Sequence, residues 1–214
     1  MLNFLEAHTL SIILLLPALA ALILMLLPAA QKRLLRWFAF AASLLPLALT
    51  VYLWARFDPT LDPRQAFQFE ELLPWFSAIG SSFHLGLDGL SLPMVALTSL
   101  LTPLAILASF KIEDHLRGYL ALFLLLETGI LGVFMSLDLL LFFVFWEIGL
   151  VPMYFLINQW GGANRNYASL KFIIFTMGGS LGLLLAIQLI GLNAGGFDMV
   201  NLFRNFGALD LSVF

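Results

Sequence analysis

The run LSIILLLPALAALILMLLPAA, residues 10–30, has no charged side chain over its full length. As a helix at 1.5 Å per residue it spans the roughly 30 Å hydrocarbon core of a bilayer. Comparable runs recur at about 34–56, 91–110, 117–136, 137–157 and 169–192. In lipid every backbone N–H and C=O must be satisfied within the segment, so these runs fold as helices. The chain reads as an all-α polytopic membrane protein of about six transmembrane helices. Composition agrees: 62% of residues are hydrophobic and 11% charged, against about half and a quarter in a soluble chain.

The first run holds a small-residue pattern at Ala18–Ala20, as a signal peptide would. Its leading segment carries Glu6 and His8 but no Lys or Arg, and its apolar core exceeds the 7–15 residues of such a signal. It is the first spanning helix. The chain has no cysteine, which excludes disulfides, thiolate-bound zinc and Cys-held iron–sulfur clusters. His8, His84 and His115 form no metal-ligand spacing. The net charge of −3 is spread thinly, and no basic run indicates a nucleic-acid partner.

Between the runs lie QKRLLR at 31–36, a polar stretch at 57–90, KIEDHLRG at 111–118, SLD at 136–138 and NQWGGANRN at 158–166. Placing residues 31–36 in the cytoplasm puts Lys32, Arg33, Arg36, Lys111, Arg117, Arg165 and Lys171 on that side. Arg56, Arg64 and Arg204 fall on the other. The split of seven against three accounts for all ten Lys and Arg. The positive-inside rule then predicts an N-terminus and a 57–90 loop on the outer face. Alternating apolar residues in AFQFEELLPWF and SSFHLGLDGLS predict a short hairpin on the membrane surface. NAGGFDM, at 193–199, reads as a flexible outer segment. Ser136 or Asp138 is placed to cap the following helix.

Two carboxylates fall at mid-helix: Glu127 in LLLETGILG and Glu147 in FFVFWEIGLVPMYF. Each sits roughly ten residues from its nearer interface. A charge at that depth costs at least about 2.5–3.5 kcal/mol, so such a residue faces the bundle interior, a hydrated cavity or a partner. One reading is a structural carboxylate held by a neighbour; the other is a proton site. Pro152 removes an N–H five residues after Glu147 and leaves the Ile148 carbonyl without its usual donor. Water or another helix satisfies such a group, although proline is also common in membrane helices. Gly178, Gly182 and Ala186 form a small-residue ridge that packing explains. Lys171 lies near the cytoplasmic end of its helix, where a lysine snorkels or serves a charge path. Phe142, Phe143, Phe145 and Trp146 read as packing and lipid contact.

The segments LDLLLFFVFWEIGLVPMYFLI (137–157), YASLKFIIFTMGGS (167–180) and HLGLDGLSLP (84–93) resemble the antiporter-like subunits of proton-pumping NADH–quinone oxidoreductase, respiratory complex I. They are most similar to the subunit M, or chain-4, type. The resemblance runs from about residue 80 to 192. It implies a fourteen-helix fold with two inverted five-helix repeats. Residues 1–115 would supply three framing helices with the outer loop, and 116–214 the truncated start of the first repeat bundle. It implies further that the broken helix bearing an essential lysine lies beyond this chain. Glu147 matches the family's key glutamate of the fifth helix. Lys171 and Glu127 are possible members of the proton path, and Asp138 neighbours it. NADH, flavin, iron–sulfur clusters and quinone would belong to partner subunits. The partners would be other membrane-arm subunits and lipid, in a bacterial plasma membrane. A multisubunit sodium/proton antiporter shares the same helices, and a passive scaffold is the third alternative. Mid-membrane carboxylates serve no purpose in a scaffold.

Overall fold

The computed structural model describes residues 8–60 and 67–204. Glu6 and Arg64 lie outside the described residues. Six helices are long and apolar enough to cross a membrane. They are α1 (Thr9–Leu26), α2 (Lys32–Arg56), α3 (Ser91–Ala108), α4 (Leu116–Met135), α5 (Leu139–Trp160) and α6 (Arg165–Ala194). A hairpin of β1 (Gln68–Phe76) and β2 (Ser81–Leu87) separates α2 from α3, and a short helix α7 (Met199–Arg204) follows α6. The ends differ from the sequence reading for local reasons. Helix α1 stops at Leu26 rather than at 30, because Leu27 precedes Pro28 and is extended; a pre-proline residue avoids the helical region. Helix α6 runs further at both ends and closes on Gly195 in the left-handed conformation (φ 74°), the usual helix stop.

Helix α4 is the centre of the bundle, packed against α1, α2, α3 and α5, whereas α6 packs on α5. Two apolar clusters fill the interior. The first, toward the hairpin, joins Ile13, Leu14, Leu53, Val95, Leu131 and Met135. The second, toward the other end, joins Ala21, Leu24, Ala39, Ile106, Leu120 and Leu124. At the closest approach of α4 and α5, a Cβ on Gly129 would stand 2.8 Å from the Gly149 nitrogen. One on Gly132 would stand 2.1 Å from the Phe145 ring. The ridge expected at Gly178 and Gly182 meets nothing within 4 Å among the described residues, where the close helix approach is that of α4 and α5. Gly129→Leu should therefore force α4 and α5 apart, at about 1–3 kcal/mol for an overpacked core. The amount of subunit recovered in detergent-stable complexes measures it.

The two ends of the bundle are chemically opposite. At the hairpin end, each helix start carries a carboxylate. Glu71, turned inward beside a β-bulge where Phe69 has φ 59°, is buried and accepts from the backbone N–H of Leu10 at 2.6 Å and Ser11 at 3.2 Å. It also accepts from the Ser11 hydroxyl. Asp88 accepts from Leu90 and Ser91 at the start of α3, and Asp198 from Asn201 at the start of α7. Asp138 accepts from Leu140 and Leu141, both at 3.0 Å, and so caps α5. These carboxylates meet the positive ends of helix dipoles. At the opposite end, α2, α4 and α6 have no side-chain cap, and their first turns hold Lys32, Arg33, Arg117 and Arg165. Cations disfavour a helix N-terminus, so helix stability alone does not explain their position.

The hairpin lies across these helix starts instead of standing apart. Asp138 also accepts from the Ser81 hydroxyl and the Ser82 N–H, each at 3.0 Å. Nδ1 of His84 lies 2.6 Å from Asp198, and its Nε2 lies 3.4 Å from Glu70. The stretch expected to be flexible is pinned: the N–H of Phe197 donates to Gly80, that of Leu139 donates to Phe197, and the Phe197 ring is 3% exposed. An aromatic side chain held against Gly191 outweighs the loop-like composition around it.

Candidate functional site

Glu127 and Glu147 both lie near the middle of spanning helices, but the fold turns them to opposite sides. On α4 the contact with α5 is made by Gly129 and Gly132. These stand about 200° and 140° round the helix from Glu127 at 3.6 residues per turn. Glu127 therefore faces α1, α2 and α3, on the stripe of Leu120, Leu124 and Leu131, all fully buried. It is 1% exposed, and neither carboxylate oxygen has a hydrogen-bond partner.

On α5 the contact with α4 is made by Phe145 and Gly149, again nearly opposite Glu147 round the helix. Glu147 instead shares a stripe with Asn158, eleven residues on and within about 20° of it. The Asn158 amide donates to the Ser169 hydroxyl of α6 at 3.0 Å. Glu147 thus lies on the α6 side of α5. It is half-buried, and its Oε1 is buried without a partner. Pro152, also buried, lies within the continuous helix.

Lys171 stands about 200° round α6 from Ser169, away from α5, and is exposed. Its ammonium lies over the rings of Tyr167 at 5.6 Å and Phe175 at 5.9 Å. The structure does not bring Lys171 to Glu147. Among the described residues no ion pair reaches either mid-helix carboxylate, and no cluster of His, Asp and Glu forms a metal site. Sequence reasoning missed the hairpin contacts of Glu71 with Leu10 and Ser11 and of His84 with Asp198. Their partners lie 60 to 114 residues apart, beyond any local pattern.

Six apolar helices closed at one end by a hairpin, with two carboxylates at mid-depth, define a polytopic helical membrane protein. Two family models match adjoining parts of the chain. One describes the amino terminus of NADH-ubiquinone oxidoreductase chain 4 and covers residues 66–136; the other describes the transmembrane region of NADH:quinone oxidoreductase and Mrp antiporters and covers 136–213. An NAD(P)H-quinone oxidoreductase chain 4 of Thermosynechococcus vestitus is 38% identical over 94% of this chain and 37% of its own length. NADH-quinone oxidoreductase subunit M of Rickettsia prowazekii is 38% identical over 97% of this chain and 42% of its own. Respiratory complex I from Thermus thermophilus with bound NADH contains a chain that superposes with a TM-score of 0.76 at 30% identity, over 90% of this chain and 38% of that one. A chain of the Mrp complex from a Dietzia strain shares the fold, with a TM-score of 0.77 at 23% identity. The chain belongs to the antiporter-like membrane subunits of NADH–quinone oxidoreductase, the subunit M or chain 4 family. It spans about two-fifths of the length of the curated relatives it matches.

Proposed function

We propose that this chain works as part of a proton-translocating membrane-arm subunit, coupling electron transfer from NADH to quinone to proton movement. The observation that carries the reading is Glu147: an ionisable group at mid-membrane depth, on a proline-containing helix, with a buried oxygen that has no partner among the described residues. In this reading residues 1–115 frame the subunit and 116–214 begin its first repeat bundle. Glu147 loads and releases the proton. A cation nearby stabilises the carboxylate; when it withdraws, the isolated charge is costly and the group takes a proton. Lys171 faces away from Glu147, so the cation comes from another part of the full subunit, and Lys171 serves the approach at the basic end. Glu127 is a further proton group of the same membrane arm.

The redox chemistry belongs to partner subunits in this proposal. This chain has no cysteine with which to hold an iron–sulfur cluster; the proposal places the clusters, and with them flavin and quinone, in neighbouring chains. The partners of this chain are then membrane-arm subunits, lipid and protons.

The basic end faces the cytoplasm and the hairpin end faces outward, because the cations that disfavour their own helix starts obey the positive-inside rule. The cysteine-free sequence makes the orientation testable. A cysteine at Ile79, at the exposed hairpin tip, should react with an impermeant thiol reagent added to intact cells. One at Arg165 should react only after the membrane is opened. The reverse pattern would invert the proposed topology.

A further inference from the structure

The interior between the two apolar clusters is not apolar. In α1 the gap between them is filled by Pro17. In α2 it is filled by Ser43, Pro46 and Thr50, all buried. In α3 it is filled by Ser99 and Pro103, also buried. In α4 it holds Glu127 and Thr128. Four helices thus replace their apolar stripe with polar or proline residues at one level, where a bilayer-spanning core has most reason to be apolar.

Each proline removes a helical donor, leaving the carbonyls of Ile13, Ala42 and Ser99 without their usual bond. The hydroxyls present are used within helices or between them. Thr50 Oγ1 donates to the Pro46 carbonyl at 2.8 Å and lies 3.5 Å from Ser99 Oγ on α3. Thr128 donates to Leu124 at 3.3 Å. None of them reaches Glu127, whose two oxygens remain unpartnered on the side of α4 that faces α1–α3. A carboxyl group enclosed in this way needs water or a proton. Freed carbonyls at the same level are acceptors that the same water satisfies.

We propose that the layer between the two clusters is an internal-water site with Glu127 as its proton-exchanging centre, enclosed by α1–α4 and separate from the α5–α6 side on which Glu147 lies. This deepens the reading of Glu127 as a proton group and does not depend on that of Glu147. The water bridges the carboxyl group to the proline-freed carbonyls, and the proton exchanges along it without crossing α4. The backbone contact at Gly129 and Gly149 closes the direct line between the two carboxylates.

The test uses the full-length subunit in the assembled complex, in lipid nanodiscs. Infrared difference spectra recorded in H2O and D2O should show a carboxyl C=O band that shifts on exchange and is lost in Glu127→Gln. Density maps of the wild-type complex that resolve ordered water elsewhere in the membrane arm should show water within hydrogen-bond distance of Glu127. Glu127→Leu should remove it. A wild-type layer with no such water, or a Glu127 band indifferent to D2O, would overturn the proposal. The density reading uses wild-type protein alone, so a variant that fails to assemble does not blunt it. A wet, exchanging Glu127 in a complex whose pumping ignores Glu147 would retain this site and reject the Glu147 mechanism. A dry Glu127 beside an essential Glu147 would do the opposite.

Discussion

Glu147→Gln in the full-length subunit should leave the complex assembled and abolish its proton pumping. Glutamine keeps the volume and most of the hydrogen-bonding capacity of glutamate but cannot ionise. Glu147 touches neither the Gly129–Gly149 contact nor the Asp138 cap that hold α5 in place, so packing should be indifferent to the change. The pumping loss should be large because a positioned proton-transfer group supplies on the order of 10²–10⁴-fold. Glu147→Asp retains the acid but withdraws it by one methylene and should keep partial activity. Quinone reductase turnover and proton uptake, measured together in membranes carrying the variant, separate coupling from assembly. Wild-type pumping by a fully assembled Glu147→Gln complex would make Glu147 a structural residue and sink the proposed mechanism.

What was legible in the sequence follows the range of the forces involved. A spanning helix declares itself because lipid imposes one requirement on some twenty consecutive residues; all six were therefore visible, with ends displaced by local effects such as Leu27 before Pro28. The depth of Glu127 and Glu147 was visible for the same reason. Their direction was not. It depends on which face of α4 meets α5, and that is set by Gly129 and Gly132 against Phe145 and Gly149. The signal was present in ETGILG, where two glycines three residues apart mark a close-approach face and place the glutamate opposite it. The ridge at Gly178, Gly182 and Ala186 is the longer small-residue run, but its glycines meet nothing within 4 Å among the described residues. Asp138 was legible as a cap because its partners are two and three residues away. Glu71 was not: it caps α1 from the far side of a hairpin, and only the folded chain brings a strand carboxylate to that helix start. The segment at 193–199 misled for the converse reason. Its composition is that of a loop, but its one aromatic side chain, Phe197, is committed to the core.

Asp138→Ala should be the most destabilising single change at the hairpin end. The residue is fully buried, and its carboxylate accepts from four donors: the N–H groups of Leu140, Leu141 and Ser82, and the hydroxyl of Ser81. Loss of an N-cap costs about 0.5–2 kcal/mol, and each buried donor left unmatched costs about 1–3 kcal/mol. The terms overlap, since they share one carboxylate, so a total on the order of 3 kcal/mol or more is expected. The consequence extends beyond α5, because the same side chain ties the hairpin to the bundle, and the hairpin in turn supplies Glu71 to α1 and His84 to Asp198. Asp138→Asn discriminates capping from tethering by charge. With its carbonyl oxygen in place of Oδ1 it can still accept from Leu140, Leu141 and the Ser81 hydroxyl, but its amide cannot accept from the Ser82 N–H, so only part of the stability should be lost. Hydrogen exchange of the assembled subunit is the direct measurement. Asp138→Ala should release protection at the start of α5, in β2 and around Phe197 together. Release confined to the first turn of α5 would mean that Asp138 is a local cap and that the hairpin is held by its other contacts.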